Sequence, residues 1–310
     1  SRSRLRPTRS WPLSNAPWAS RGVRPPLFLD DAGTPLRARG LNADPQRYNR
    51  TMTPSPQEIA PGVHYLEVGR GIMRSNVYFV GSEPSWALID AGSEDCGEAI
   101  QEAAETLFGR DTRPTAILLT HDHPDHAGAA LTLARLWDLT VYVHPDEMPM
   151  VHGNMETFKK YANPLDRWMV LPIMRTMGRR RAQEIIDRSS FEEVARALDP
   201  GAELPGLPGW ELVPTPGHTP GHVAFFRTSD RVLISGDALV TIDLNSPLSL
   251  LRSGPRISAG PWYTTWDRRA AKRSLTALAL LEPRVLAGGH GAPMSGPDLA
   301  AKLRAFAGPF

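Results

Sequence analysis

Cysteine is nearly missing from this chain: Cys96 is the one thiol in 310 residues. A disulfide framework is thereby excluded, and a reducing, cytoplasmic setting is expected. No apolar run approaches the length of a membrane span, so no transmembrane segment is expected. Net charge is almost absent as well, with 35 basic residues against 33 acidic ones, and nothing in that balance calls for a nucleic-acid partner. The first fifty residues hold ten arginines, no lysine and no acid before Asp30, with Pro7, Pro12, Pro17, Pro25 and Pro26 scattered among them. They lack a periodic apolar face, so residues 1–50 read as a poorly ordered extension that catalysis does not need. Residues 51–310 form the catalytic domain in this reading, and the 41% hydrophobic content supplies one substantial core or two small ones.

What is present is a dense run of ligand-type side chains. Thr120 to Gly128 reads Thr-His-Asp-His-Pro-Asp-His-Ala-Gly and brings His121, His123, Asp125 and His126 close together. Side chains of this kind repel or desolvate one another without a cation, so the run predicts a metal site. It follows the apolar segment Ala116 to Leu119, which reads as a buried strand, and precedes a helix expected over Ala127 to Trp137. In an extended segment residues two apart point the same way, so His121 and His123 converge on one ion. Asp125 and His126 turn toward a second position. Three later glycine-flanked residues, His218, Asp237 and His290, each stand at the end of an expected strand.

The remaining chain alternates strands and helices. Val63 to Val68, Asn76 to Val80 and Trp86 to Ile89 predict one antiparallel sheet, and Glu98 to Phe108 and Asp267 to Leu281 predict helices. Further strands are expected at Thr140–Val143, Glu211–Val213, Val223–Phe226, Arg231–Ile234 and Val285–Ala287.

With Asp90-Ala91-Gly92 ahead of it, the ordered set His-x-His-x-Asp-His, Gly217-His218, Gly236-Asp237 and Gly289-His290 resembles the metallo-β-lactamase-fold hydrolase superfamily. The resemblance spans about residues 61 to 293, in the glyoxalase II and lactonase-like branch. It implies an α/β (α+β) fold, a four-layer αββα sandwich. It also implies two divalent ions, zinc first, with iron or manganese compatible with the same donors. His121, His123 and His218 would hold one ion and Asp125, His126 and His290 the other, with Asp237 bridging. Asp125 and Asp237 are then the catalytic carboxylates. Asp90 would steady the ligands by hydrogen bonds, and His222 would fix the turn into the strand after it. Such a centre holds a hydroxide between its ions near neutral pH and directs it at the carbonyl of a small ester, thioester or lactone.

Departures from familiar branches narrow the expectation. Asp237 stands where one major group of true β-lactamases carries cysteine, so β-lactamase-type amide hydrolysis is not the first choice. Only 20 residues follow His290, so the glutathione-binding C-terminal domain of glyoxalase II enzymes is not expected, and this counts against glutathione thioesters. Val240 replaces the tyrosine that acyl-homoserine lactonases place three residues after the bridging aspartate. A mononuclear-iron persulfide dioxygenase at His121, His123 and His218, and a nuclease of the same fold, remain as alternatives.

Between about residues 145 and 208 no strand pairing is expected, and the stretch reads as a helical, lid-like insertion. It carries Met148, Met150, Met155, Met169, Met174 and Met177, with Phe158, Tyr161, Trp168 and the run Arg179 to Arg181. Methionine of that density suggests an adaptable apolar surface.

Overall fold

The computed structural model describes residues 55–308, apart from 83–84, 111, 200 and 247–253. The extension expected over residues 1–50 lies outside the described residues. The first strands, β1 (Gln57–Ala60), β2 (Val63–Val68), β3 (Ser75–Ser82) and β4 (Ser85–Ile89), form an antiparallel meander. Helix α1 (Gly97–Phe108) then crosses to β5 (Ile117–Leu118), which pairs parallel with β4. Beyond β5 lie α2 (Pro124–Ala127), α3 (Ala130–Trp137) and β6 (Val141–Val143), the last parallel to β5.

The stretch expected as an insertion holds α4 (Met148–Val151), α5 (Met155–Lys160), a π-helical turn over Asp166–Val170, α6 (Leu171–Met177) and α7 (Arg179–Ser189). It also holds β7 (Ala195–Ala197), which pairs parallel with β6 and completes a seven-stranded sheet. The expectation that no strand pairing occurs there is therefore corrected. A strand of three residues surrounded by polar chain has no periodicity to read, and only its neighbour β6 identifies it.

The second half supplies β8 (Trp210–Pro214), β9 (Val223–Arg227), β10 (Val232–Gly236), the short ribbon β11 (Leu239–Val240) with β12 (Ser258–Ala259), α8 (Arg268–Leu280), β13 (Val285–Gly288), β14 (Met294–Ser295) and α9 (Leu299–Ala307). Five of these strands form a second sheet in the order β14-β13-β10-β9-β8.

Alternation along the strands builds the layers. In β3, Tyr78 and Val80 join Ile89, Phe225, Val232 and Ile234 in a core between the two sheets. Val77 and Phe79 face the other way, onto α1 and α3 with Ile100, Leu133 and Trp86. The second sheet repeats the scheme, with Leu233 and Leu286 packed against Leu278 of α8 and Leu303 of α9. Both sheets are thus buried on both faces, and the order of layers is helix, sheet, sheet, helix. Trp86 anchors the first outer core, stacked on Phe108 at 4.5 Å and edge-on to Trp137 at 5.9 Å.

The helix expected over Ala127 to Trp137 is instead two helices. Pro124 starts α2, its missing N–H costing nothing in a first turn. The chain then breaks at Gly128, where any side chain would collide with the Pro124 carbonyl and the main chain at Glu94. Asp125 and His126 consequently sit on a helical turn, not on a loop.

Candidate metal centre

All seven expected ligands converge at one end of the sandwich, where β5, β8, β10 and β13 deliver their following loops. His121, His123 and His218 form one group whose ligand atoms lie within 4.8 Å of one another, and Asp125, His126 and His290 form another. Asp237 stands between them. Its Oδ2 lies 3.4 Å from His218 Nε2 and 3.3 Å from His290 Nε2, and its Oδ1 lies 3.5 Å from His126 Nε2. On the more open side, Asp125 Oδ2 is 3.5 Å from His290 Nε2 and 3.9 Å from His126 Nε2.

The outward nitrogens decide what the inward ones offer. His126 Nδ1 donates to Asp90 Oδ2 at 2.8 Å, and His290 Nδ1 donates to the Arg74 carbonyl at 2.6 Å. Thr120 gives its hydroxyl proton to Asp90 Oδ2 at 2.9 Å, which leaves its oxygen to accept from His121 Nδ1 at 3.0 Å. Thr265 does the same for His218: its proton goes to the Pro261 carbonyl at 2.6 Å, and its oxygen accepts from Nδ1 at 3.3 Å. With Nδ1 committed as donor in four rings, Nε2 is the inward nitrogen of each; those of His126, His218 and His290 lie beside Asp237, and that of His218 is also 2.9 Å from His123 Nδ1. His121 Nε2, His126 Nε2 and Asp237 Oδ1 are buried without any hydrogen-bond partner. Buried acceptors aimed at one another with no proton between them fit divalent cations, and a pair of His and carboxylate donor sets suits zinc, iron or manganese alike.

Electrostatics divide the rings into two kinds. Burial and the neighbouring imidazoles hold His121 well below the ordinary histidine value, and burial with the nearby His123 does the same for His218. At His126 burial acts downward too, but the carboxylates of Asp237, Asp125 and Asp90 outweigh it and its pKa stands well above the ordinary value. Burial pushes Asp237 upward, yet His290 and His126 outweigh it and hold this carboxyl well below the usual range. The centre therefore draws positive charge to the Asp237 side, whether as a proton or as a metal.

Asp90 and His222 lie against this cluster. The Asp90 carboxylate also accepts from the Thr120 main-chain N–H at 2.8 Å, and its backbone adopts φ +62°, a conformation that costs a non-glycine residue energy. His222 Nδ1 is 2.7 Å from Thr215 Oγ1, and its Nε2 accepts from the Asp237 main-chain N–H at 3.0 Å. Burial lowers this imidazole to about 3, so it stays a neutral acceptor that aims Asp237. Two glycines make the approach possible. Gly236 takes φ +48° with no room for a side chain beside His222 and Thr120, and a side chain at Gly289 would overlap Asp237 Oδ1.

Sequence reading passed over several residues that hold the loops. Glu147, buried at the start of the expected insertion, accepts from Asp122 N at 2.9 Å and Gly221 N at 2.7 Å, tying the first histidine loop to the His218 loop. The start of β3 grips the last loop: Asn76 Nδ2 donates to the Gly288 and Gly291 carbonyls at 2.9 and 2.6 Å, and Tyr78 donates to Gly288 at 2.6 Å. Burial raises the Tyr78 phenol far above its ordinary value, which keeps that donor protonated. Tyr263, on the loop beneath which Asp237 lies, is raised by burial and by the fields of Asp237 and Asp125. None of these carries a local signature; the nearest signal was the polar character of Asn76 within an apolar strand. His144 accepts from the Asp146 N–H at 3.2 Å as a turn histidine and joins neither ligand group.

A family model described as the metallo-beta-lactamase superfamily matches residues 70–290. The probable metallo-hydrolase YflN of Bacillus subtilis is 38% identical over 249 residues, 79% of this chain and 90% of the relative. Hydroxyacylglutathione hydrolase GloC of Haemophilus influenzae is 26% identical over 164 residues, 51% of this chain and 62% of its own length. Among solved structures, the metallo-beta-lactamase family protein TTHA1429 from Thermus thermophilus is similar with a TM-score of 0.51 and 25% identity, over 81% of this chain and 79% of that one. No helix among the described residues is long and apolar enough to cross a membrane. With the family match covering every strand-end loop described above, the chain belongs to the metallo-beta-lactamase superfamily and is a metallo-hydrolase.

Proposed function

We propose that the chain is a dinuclear metal-dependent hydrolase of small esters, thioesters or lactones. The observation that carries this reading is the pair of ligand-type clusters, His121 with His123 and His218 and Asp125 with His126 and His290, that meet at Asp237 with His121 Nε2, His126 Nε2 and Asp237 Oδ1 buried and unpartnered. His121, His123 and His218 would hold one divalent ion, Asp125, His126 and His290 the second, and Asp237 would bridge them. Zinc is the first choice, with iron or manganese able to use the same donors. When bound, these ions supply water activation near neutral pH and polarisation of a carbonyl.

The protein's own groups do the rest. Asp90, Thr120, Thr265 and the Arg74 carbonyl orient the rings, and ligand-orienting contacts of this kind govern metal affinity by about 10–100-fold. Asp125 keeps 17% of its side chain exposed, more than Asp237 at 4% or Asp90 at 1%. Tyr263, whose phenol burial and the fields of Asp237 and Asp125 keep neutral, would donate a hydrogen bond to oxygen charge developing nearby, a task the buried Val240 does not perform. The insertion flanks the His123 side: Leu165 N donates to the Tyr263 carbonyl at 2.8 Å, and Asp166 feels the charge of His123. It is read as a partial cover favouring an apolar acyl portion.

The test is metal analysis of protein purified without added metal, joined to a panel of thioester, ester, lactone and β-lactam substrates. The expected result is two ions per chain and thioester or ester hydrolysis that chelation abolishes, with Asp237→Ala losing metal and activity together. Full activity after exhaustive chelation overturns the reading, as does a single iron accompanied by persulfide-dependent oxygen uptake.

A further inference from the structure

A cleft of about 560 Å³ opens beside the metal centre, between the insertion and the start of α8. Its size suits the non-reacting part of a small substrate. Pro164 and Trp168 form one wall, and Trp262 and Trp266 form the other. The Trp168 and Trp262 rings face each other edge-on at 6.4 Å, and Tyr161 braces Trp266 at 4.9 Å from the outside. Trp168 is 71% exposed and Trp262 39% exposed, so large apolar surface meets solvent where nothing in the fold requires it. The cleft floor includes Thr265, whose hydroxyl touches His218. A molecule lying in the cleft is therefore one side chain away from a ligand of the centre.

Charge narrows the occupant. Arg268 and Arg269 line the cleft, both exposed, and among the described residues neither has a carboxylate within ion-pair distance. Asp267, also at the rim, spends its Oδ1 on the Arg269 and Ala270 main-chain N–H groups at 2.9 and 3.1 Å. Two first-turn N–H groups are thus already satisfied and the Asp267 carboxylate lies in the field of Arg269, so the cleft combines one acid and two exposed arginines with three tryptophans, a net positive lining. Guanidinium groups recognise planar oxyanions, and indoles take flat apolar groups.

We propose that this cleft is the recognition subsite for the non-reacting end of the substrate, and that it takes an aryl or acyl group bearing its own carboxylate. The proposal rests on the hydrolase reading of the adjoining centre for its use, but not for its binding chemistry. Trp168 and Trp262 grip the apolar body, Arg268 and Arg269 hold the acid, and Thr265 marks the direction toward the reacting carbonyl.

Two probes separate these contributions: 8-anilinonaphthalene-1-sulfonate, and N-phenyl-1-naphthylamine, which has the same rings without the sulfonate. Fluorescence titration of the full chain should show one saturable site for each. Arg268→Gln/Arg269→Gln should weaken the sulfonate by about ten-fold while leaving the neutral probe within about two-fold. Trp168→Ala should weaken both, with unchanged circular dichroism and melting temperature showing that the fold persists. In hydrolysis, the double arginine variant should raise KM for a 4-nitrophenyl hemiester of a dicarboxylic acid and leave KM for the neutral 4-nitrophenyl ester of matched length. Equal sulfonate affinity in wild type and double variant overturns the proposal. So does the absence of a saturable site when vesicles of phosphatidylcholine with phosphatidylglycerol sediment the protein, which would make this face a membrane surface. Probe binding that follows the expected pattern in a protein that hydrolyses no ester would uphold the subsite and remove the hydrolase reading instead.

Discussion

The ligand cluster and the outer face of the insertion stand side by side and follow opposite rules. In the cluster, four imidazoles are tethered through Nδ1 to a named acceptor, and their supports Asp90 and Thr120 are themselves buried. On the insertion, Trp168, Met169, Ile173, Met177 and Ile185 are exposed, and few polar contacts restrain them. The first region has one arrangement because every alternative strands a buried polar group. The second can rearrange at little cost, since its apolar side chains trade one weak contact for another. A hydrolase that must hold its reacting groups still while admitting varied acyl parts needs both kinds of surface, adjacent but separately built.

That contrast is broken most severely at Gly289. Gly289→Ala should remove both the metal content and the hydrolysis, because the added methyl group takes the space of Asp237 Oδ1. Metal analysis and circular dichroism on the same sample check it, and full metal loading in this variant would show that the cluster yields as readily as the insertion. Asp90→Asn keeps the shape but loses the charge that fixes His126, so metal affinity should fall by about 10–100-fold, measured by chelator competition. An unchanged affinity would mean the rings are held by packing alone.

Asp267→Ala removes the cap of α8 and should cost about 1 kcal/mol in denaturant unfolding. Hydrogen bonds from Ala270 and Arg269 hold this carboxyl below its ordinary range, so its contribution is present at neutral pH. It is lost as pH falls through the lowered native value. A variant whose acid sensitivity matches that of wild type would contradict the assignment. Ile173→Ser and Met169→Ser, on the insertion, should change stability by no more than about 0.5 kcal/mol and leave metal content untouched. A loss of bound metal in either would erase the distinction between the regions.

Local chemistry made the ligands legible. The alternation of His121 and His123 along an extended segment, the glycines before His218, Asp237 and His290, and the apolar strands ahead of them are all short-range patterns, each imposed by neighbours in the chain. The supports are different in kind. Arg74 offers His290 a main-chain carbonyl, which every residue possesses, and Glu147 joins two loops from within a stretch that reads as an appendage. Likewise β7 is a strand only because β6 lies beside it, and the turn between α2 and α3 packs Gly128 against the main chain at Glu94. By itself the sequence determined which side chains can bind metal and which segments alternate into sheets, because spacing and periodicity act over a few residues. Tertiary structure alone decided which nitrogen of each imidazole faces inward, since that choice belongs to a hydrogen-bond partner as far as 216 residues away.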